Sequence, residues 1–298
     1  MFMSINLGTR GSKLAVAQAE IVAKRLRAID PSLVINIKKI TTTGDKDQRT
    51  SLSQIGGKGV FIRELEQALL DGKIDLAVHS FKDITSNITS GLEMCAFFSP
   101  ESVCDVMVSR DNLSLDRLPP NARIGTGSMR RRALLSRIRP DFKFLDIRGN
   151  IDTRLSKLEM GFFDAIILSE AGLIRLGFQE KISWRFDPSH FYPAPGQGVI
   201  ALEIRQSDNK VRNLCLKAGN DNQRVISLAE LSALTNLGFD CRTPFGVFTS
   251  ATGGKLTMKG FYIDPHTDDF IEKSVSGPIS LPIELGEKLS NMLLGRGI

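Results

Sequence analysis

Apolar residues recur along this chain with two spacings, one typical of buried strands and one typical of helices. Apolar runs without alternation lie at residues 74–83, 94–98, 105–109 and 199–204, as in strands that are covered on both faces of a sheet. Apolar positions within residues 14–26 instead return every three or four residues, which predicts a helix. Strands and helices that alternate along a chain favour an α/β fold.

The run at residues 74–83, IDLAVHSFKD, ends abruptly in side chains that can carry chemistry. Its apolar core is followed by His79, Ser80, Lys82 and Asp83. Because ligands of open α/β sheets bind just beyond the carboxyl ends of the strands, these side chains form a candidate site. The alternative interpretation is that Lys82 and Asp83 are a solvated pair at the start of a loop.

A second stretch of the chain repeats the spacing of this strand. The sequence GKIDLAVHS at residues 72–80 matches GFFDAIILS at residues 161–169 in spacing and residue type. The Gly-Thr and Ser of residues 8–12 recur at residues 125–128, again between a predicted strand and a predicted helix. Two similar α/β halves would present their strand-end loops to each other across a cleft.

The carboxyl-terminal pattern predicts a third, smaller unit. A helix-like stretch at residues 225–237 precedes strand-like segments at 247–250, 256–263 and 270–275, and a final helix begins near residue 283. This order is typical of a small α+β domain. The predicted domains are residues 1–99 plus 197–215 (first α/β domain), 100–196 (second α/β domain) and 216–298 (α+β domain).

Composition narrows the class of protein. The chain of 298 residues has room for two or three domains, and no apolar run approaches the ~20 residues of a membrane span. The first residues, MFMSINLGTRGS, lack the basic and apolar regions of a signal peptide. We therefore expect a cytoplasmic protein with no membrane partner.

Positive charge is concentrated where strands are predicted to turn into helices. Residues 121–154 hold eight arginines and one lysine against three aspartates. An arginine near a helix N-terminus opposes the helix dipole unless an anion offsets its charge. The pattern predicts an anion site, and the bias toward arginine favours bidentate binding of carboxylate or phosphate. The junction at residues 9–12 fits the same interpretation, although Ser12 as a plain helix cap is the alternative.

The cysteines differ in their surroundings. Cys241 is the only one in a loop bounded by glycine and proline, and the adjacent Arg242 favours the nucleophilic thiolate. Cys95 and Cys215 lie in apolar or helical surroundings, which predicts buried thiols without a chemical role. Because the four cysteines are scattered without a CxxC pair, the sequence predicts neither a metal site nor a disulfide framework.

A series of motifs resembles the hydroxymethylbilane synthase (porphobilinogen deaminase) family, in the family's order and over nearly the whole chain. The matching stretches are Thr9-Arg10-x-Ser12, Thr43-x-Gly-Asp45, Gly56-Gly-Lys-Gly-Val-Phe61, Ala77-Val-His-Ser-x-Lys-Asp83, Gly125-Thr-x-Ser-x-Arg-Arg131, Leu145-x-x-Arg-Gly-Asn150, Thr153-Arg-Leu-x-Lys-Leu158, Asp164-Ala-Ile-Ile-Leu168, Ala171-Gly-Leu-x-Arg175, Pro195-Gly-Gln-Gly198 and Cys241-x-x-Pro244.

The resemblance implies a fold, a reaction and a cofactor. The fold would be two α/β domains around a cleft, like periplasmic binding proteins, plus a smaller α+β domain that carries Cys241. The reaction would be a deaminating transfer that joins four porphobilinogen units into the linear tetrapyrrole hydroxymethylbilane, a step of haem biosynthesis. The resemblance also implies a dipyrromethane cofactor that is bound to Cys241 by a thioether.

The resemblance also assigns roles to individual residues. Asp83 matches the catalytic aspartate, which would stabilise positive charge on pyrrole nitrogens, and Lys82 is its catalytic neighbour. The implied cofactor-binding residues are Cys241, Arg10, Ser12, Lys82, Asp83, Thr126, Ser128, Arg130, Arg131 and Arg148. The implied substrate-binding residues, which would bind acetate and propionate groups or pack on a pyrrole, are Arg10, Phe61, Arg148, Arg154, Arg175 and Ser80. Phe61 lies just after a polar loop, residues 43–59, that is predicted to act as a lid.

Three positions depart from the family pattern. Phe239-Asp240 stand where Gly-Gly usually precedes the anchor cysteine, Leu231-Ser232 follow Glu230 in place of Arg-Ala, and Cys104 replaces an arginine. The first departure places bulk and a negative charge beside the thiol that would hold the cofactor.

Two other classes of protein compete with this interpretation. A polycarboxylate-binding protein of the same fold, without cofactor or catalysis, would keep the arginines, but it would gain nothing from Asp83. A nucleic-acid binder would interleave its basic residues with aromatics, and residues 123–154 contain only Phe142 and Phe144. We therefore expect a monomeric enzyme whose partner is porphobilinogen, with no nucleic acid and no metal.

Overall fold

The computed structural model describes residues 4–42, 62–84, 88–238, 244–264 and 267–296. Its strands are β1 (Ser4–Arg10), β2 (Val34–Ile40), β3 (Leu76–Ser80), β4 (Leu92–Phe98), β5 (Asp105–Ser109), β6 (Arg123–Gly125), β7 (Lys143–Leu145), β8 (Ala165–Ser169), β9 (Trp184–Arg185), β10 (Ile200–Arg205), β11 (Phe245–Thr252), β12 (Lys255–Ile263) and β13 (Phe270–Pro278). Its α-helices are α1 (Lys13–Ile29), α2 (Arg63–Leu70), α3 (Met129–Ile138), α4 (Ile151–Glu159), α5 (Glu170–Arg175), α6 (Asn209–Ala218), α7 (Asp221–Leu237) and α8 (Pro282–Leu293).

The chain falls into two compact units, and the first consists of Met1–Pro100 with Gly198–Arg224. Its sheet has the order β2-β1-β3-β10-β4, in which β1 runs parallel to β2 and β3, and β10 runs antiparallel to β3 and β4. Helices α1 and α6 cover one face, where Leu7, Leu76 and Leu202 are fully buried. The edge strand β2 buries Ile35 and exposes Val34.

The second unit consists of Glu101–Gln197 with Val225–Ile298. Its larger sheet has the order β7-β6-β8-β5-β9, in which β6 runs parallel to β7 and β8, and β5 runs antiparallel to β8 and β9. The strand order and strand directions are the same as in the first unit. β6 corresponds to β1, and β8 corresponds to β3. The internal repeat that the sequence predicts is therefore confirmed.

The aspartate in each repeat binds the backbone at the amino end of a strand. It is not placed to bind a ligand at the carboxyl end. Asp75 accepts a hydrogen bond from the backbone N–H of Asn6 at 2.9 Å, and Asp164 accepts one from that of Arg123 at 2.8 Å. The glycine that opens each repeat has a positive φ, of 69° and 79°, which a side chain would strain. The repeated motif therefore stabilises the amino ends of strands in both sheets. The carboxyl ends of the strands stay available for a functional site.

The smaller sheet of the second unit is antiparallel, with the order β11-β12-β13. Helices α7 and α8 cover it, and Val247, Met258 and Leu289 are fully buried between sheet and helices. The two helices approach so closely that a Cβ at Gly286 would lie 2.3 Å from the carbonyl oxygen of Ala229.

These sheets confirm the predicted fold class, α/β with a smaller α+β part at the carboxyl end. The predicted domain boundaries, 1–99 plus 197–215, 100–196 and 216–298, stay predictions. Within the described part of the chain, no helix is both long and apolar enough to cross a membrane.

Candidate active site

Side chains with chemistry gather at the carboxyl ends of β1 and β3 in the first unit. The two strands are parallel neighbours, so their ends lie at one edge of the sheet. β1 ends at Arg10, and β3 ends at Ser80 before a single 3₁₀ turn, Phe81–Asp83. The side chains of Lys82 and Asp83 are exposed there, whereas Phe81 between strand and charges is buried.

Buried contacts hold the turn that carries Asp83. The Phe81 ring packs edge-on against Phe97 with 5.0 Å between the ring centroids. The Phe81 backbone N–H donates to the carbonyl of Val199 at 2.9 Å, and the N–H of Ile84 donates back to the carbonyl of Phe81 at 3.0 Å. Because the turn is fixed from below, the two exposed charges keep a defined place at the sheet edge.

The hydroxyls that the sequence places at this edge already have partners. The Ser12 hydroxyl accepts a hydrogen bond from the N–H of Ala15 at 3.2 Å and caps α1. The Ser80 hydroxyl exchanges hydrogen bonds with the Gln18 amide at 2.9 and 3.0 Å, which ties the end of β3 to α1. The predicted binding roles of Ser12 and Ser80 stay predictions. A serine that binds the cofactor or substrate would do so in addition to making these structural contacts.

A buried His–Glu pair lies directly below this edge, and sequence reasoning missed it. His79 Nε2 is 2.9 Å from Glu203 Oε2, and both side chains are almost completely buried. Within the described residues, Glu203 Oε1 has no hydrogen-bond partner. The sequence signal that could have revealed the pair is Glu203, a charged residue within the apolar run at residues 199–204. The pair links β3 to β10 one residue before Ser80.

The equivalent edge of the second unit carries Thr126, Ser128 and Arg148. Thr126 follows β6 and is buried, and its hydroxyl accepts a hydrogen bond from the N–H of Ser128 at 3.2 Å. Ser128 caps α3 by accepting from the N–H of Arg131 at 3.4 Å. Arg148 lies between β7 and α4. Because β6 and β7 are parallel neighbours, these residues share one edge.

Arg130 and Arg131 point into the second unit and share one fully buried carboxylate, that of Asp105. Arg130 Nη1 is 2.6 Å from Asp105 Oδ2, and Arg131 Nε and Nη2 are 2.9 and 2.7 Å from Oδ1. Burial alone would raise the pKa of Asp105, but the two guanidiniums outweigh burial and lower the pKa to about 2. The aspartate is therefore ionised at neutral pH.

The same two guanidiniums also bind backbone. Arg130 donates to the carbonyl of Tyr192 at 2.6 Å, and Arg131 donates to that of Ile167 at 2.9 Å. Gln197 joins them by donating its amide to Asp105 at 3.1 Å. The positive charges of Arg130 and Arg131 face the single negative charge of Asp105, so this cluster has a net charge of +1. The predicted binding of cofactor carboxylates by Arg130 and Arg131 stays a prediction, and it would draw on this remaining charge.

The other predicted arginines also contact the protein. Arg154 Nε donates to the carbonyl of Gly149 at 2.8 Å, and Arg175 forms an ion pair with Glu101. Arg132, outside the predicted set, donates to the carbonyl of Thr126 at 3.0 Å and so fixes the loop after β6. Within the described residues, no cluster of His, Cys, Asp or Glu could hold a metal ion.

Glu230 is a second buried acid that the sequence did not reveal. It lies on α7, and its carboxylate accepts a hydrogen bond from the N–H of Gly196 at 2.7 Å. Burial raises the pKa of Glu230 to about 7, although the Gly196 hydrogen bond opposes the shift. This contact fastens the turn at Gly196 to α7 within the second unit.

We expect stability of the second unit to fall as pH rises toward 8, because the unfolded Glu230 loses its proton at a lower pH than the folded one. Between about pH 5 and pH 8, the wild type should lose about 3 kcal/mol more unfolding free energy than Glu230→Gln. Urea unfolding followed by fluorescence of Trp184, the one tryptophan, measures the difference. Parallel losses in the two proteins would contradict a shifted Glu230.

Two family profiles together match most of the chain. The profile described as "Porphobilinogen deaminase, dipyromethane cofactor binding domain" matches residues 5–213, and the one described as "Porphobilinogen deaminase, C-terminal domain" matches residues 225–295. The chain belongs to the porphobilinogen deaminase family. The resemblance that the motifs indicated is therefore confirmed, as are the deaminating transferase activity of the family and its dipyrromethane cofactor.

Curated porphobilinogen deaminases match over nearly their full length. The protein of Natranaerobius thermophilus is 38% identical over 99% of this chain and 96% of its own. That of Clostridioides difficile is 39% identical over 98% and 97%, and that of Vesicomyosocius okutanii is 40% identical over 99% and 97%. Among solved structures, the methionine-binding protein MetQ aligns with 78% of this chain and 94% of its own at 11% identity and a TM-score of 0.45.

Two of the implied site residues lie outside the described residues. They are Cys241, the implied cofactor anchor, and Phe61, which lies just after the predicted lid at residues 43–59. Phe239-Asp240, the departure beside the anchor, lie outside them as well. The assignments made to these positions rest on the sequence and the family alone.

Proposed function

We propose that this porphobilinogen deaminase family member condenses four porphobilinogen molecules, with release of ammonia, into hydroxymethylbilane for haem biosynthesis. The observation that carries the proposal is the exposed carboxylate of Asp83. The turn that bears it is anchored by the buried Phe81 and lies at the same sheet edge as Arg10. A protein that only bound carboxylates would gain nothing from a further carboxylate at this edge. We further infer that the enzyme acts as a cytoplasmic monomer and needs no nucleic acid.

The carboxylate of Asp83 has a chemical task in this reaction. Loss of ammonia from porphobilinogen leaves an electron-poor azafulvene, and each condensation places positive charge on pyrrole nitrogens. A fixed negative charge beside those N–H groups stabilises the charge as it develops. The same carboxylate can accept the proton that the pyrrole ring releases. Lys82, its exposed neighbour, is suited to bind the acidic side chains of the substrate.

The residues present fit a dipyrromethane, whose acetate and propionate groups make it a polyanion. Neither α1 nor α3 has an acidic residue in its first turn, so each helix presents its positive end at a strand-end edge. When bound, the cofactor supplies the terminal pyrrole carbon to which the first substrate unit is joined. The residues that would hold it are Cys241 by a thioether, with Arg10, Ser12, Lys82, Asp83, Thr126, Ser128, Arg130, Arg131 and Arg148.

The substrate carboxylates would be bound by the remaining arginines. We assign this role to Arg10, Arg148, Arg154 and Arg175, with Ser80 as a hydroxyl donor and Phe61 as an aromatic surface for a pyrrole. Each condensation adds carboxylates, and guanidinium groups offset the cost of removing them from water. Arg154 and Arg175 already contact Gly149 and Glu101, which holds their side chains in place for a further partner.

The proposal is tested by the intact mass of the purified protein beside that of Cys241→Ser. We expect the wild type to exceed its polypeptide mass by two linked pyrroles and the variant to match the bare chain, because only a thiol at this position forms the thioether. Protein isolated without cofactor should gain this mass, and release ammonia, when porphobilinogen is added. A wild-type mass that matches the bare chain and stays unchanged when porphobilinogen is added would contradict the synthase and favour the polycarboxylate-binding protein.

A further inference from the structure

Cys95 occupies an irregular position in the first unit. Along the pairing of β4 with β10, Ala96 faces Leu202 and Met94 faces Glu203, so Cys95 is the extra residue of a β-bulge. A bulge turns the side chain of its extra residue away from the regular alternation. Here both Cys95 and the adjacent Ala96 belong to the core beneath α1 and α6.

The bulge brings Cys95 against a second cysteine. The Cys95 thiol donates a hydrogen bond to the carbonyl of Arg212 on α6 at 3.6 Å. Cys215 follows on the same helix, three residues later and thus about one turn on, and its thiol lies in the same buried cluster as that of Cys95. Both cysteines are buried and free. No sequence pattern indicates this pair, because the two thiols are far apart in the chain.

The surroundings make the two thiols chemically unequal. The neighbouring Cys215 thiol lowers the pKa of Cys95 against the opposing effect of burial, and the nearby Arg212 contributes in the same direction. The interaction with Cys95, together with burial, raises the pKa of Cys215 well above its usual value. Cys95 is therefore the thiol that ionises first. One nucleophilic and one protonated thiol in contact are the arrangement of a dithiol redox pair.

We propose that Cys95 and Cys215 are an oxidation site, at which a small hydroperoxide converts two thiols into a disulfide between β4 and α6. The Cys95 thiolate attacks one oxygen of hydrogen peroxide, the O–O bond breaks, and a sulfenic acid and water are formed once a proton is taken up. Cys215, after losing its proton, attacks the sulfenic sulfur and releases a second water. In sum, two thiols are oxidised and one peroxide is reduced to two waters.

The cross-link would join two elements that already pack together in the first unit. Its closed loop spans residues 95–215, and constraining a long loop of the unfolded chain stabilises the folded state. We therefore expect the oxidised first unit to resist thermal unfolding better than the reduced one, and a dithiol reductant to reverse the effect. Asp83 and the strand-end edge take no part in the step.

The test treats the full-length protein with hydrogen peroxide, blocks remaining thiols with iodoacetamide, and maps the cysteine peptides by mass under non-reducing conditions. We expect one linked peptide pair that contains Cys95 and Cys215, lighter by two hydrogens than the separate peptides and separated again by dithiothreitol. Half-buried Cys104 serves as the internal control. Its pKa is raised by burial, and no such pair is expected for it.

Matched variants locate the pair. Cys104→Ser should keep the linked peptides, and Cys95→Ala and Cys215→Ala should each abolish them. The proposal is overturned if Cys104 is oxidised while Cys95 and Cys215 stay reduced, or if peroxide takes Cys95 to a sulfinic acid without a link. Because the readout is a peptide mass, its result is independent of whether the protein turns over porphobilinogen.

Discussion

Asparagine in place of Asp83 is expected to slow porphobilinogen consumption by about 10²- to 10³-fold, the range observed when one preorganised charge-stabilising group is removed. Asparagine has nearly the same shape but no charge, so it cannot stabilise the positive pyrrole nitrogen. Asp83 is exposed, and its turn is held by Phe81, so the fold should be unaffected. The rate of ammonia release measures the effect, and thermal unfolding checks the fold.

Asp111→Asn is the matched control, because Asp111 is also an exposed aspartate at a turn but lies outside the strand-end edges. It should keep the wild-type rate. If Asp83→Asn kept that rate as well, Asp83 would be a solvated loop residue, as the alternative interpretation of the sequence has it. The intact-mass result would remain informative in that case, because attachment at Cys241 does not depend on turnover rate.

Asp105→Asn is expected to lower the unfolding free energy of the second unit by about 4 kcal/mol, the usual effect of removing one partner from a buried ion pair. Two buried guanidiniums would lose the charge that compensates them while their hydrogen-bond geometry stays nearly the same. Trp184 lies on β9, which pairs with β5, so its fluorescence in urea reports unfolding next to the cluster.

The control for this loss is an exposed ion pair on the same sheet edge, that of Arg132 with Asp146. Asp146→Asn should change the unfolding free energy by less than about 1 kcal/mol, because water screens the pair. The pH dependence of stability in acid provides a second check on Asp105. Since the pKa of Asp105 is lowered to about 2, its contribution is present above the usual carboxyl range and is lost as pH falls toward 2. Equal effects of the two variants would contradict a compensating role for Asp105.

The sequence predicted the parts of this protein that depend on local pattern. Apolar runs located β3 and β5, helical spacing located α1, and the repeated GxxD spacing predicted two similar α/β halves, whose sheets have equivalent strand orders. The ends of those strands, and Ser12 as a possible helix cap, could also be predicted, because capping and strand termination depend on neighbouring residues. The motif series gave the family.

The sequence could not tell which charged residues would be buried. Arg130 and Arg131 look alike in the sequence, where both are predicted to bind an anion, yet they share the carboxylate of Asp105, 25 and 26 residues away. Asp105 itself reads as the polar start of a strand. Whether a guanidinium reaches a ligand or the protein interior depends on what packs above it, and local spacing carries no information about that.

By itself, then, the sequence determined the α/β fold class, the strand-end edges with Arg10, Lys82 and Asp83, and the family. Tertiary structure alone decided the long-range polar pairs: His79 with Glu203, 124 residues apart, Gly196 with Glu230, 34 residues apart, and the contact of Cys95 with Cys215. The physical reason is that strand ends and helix caps arise from neighbouring residues, whereas these pairs form only where distant elements pack and exclude water.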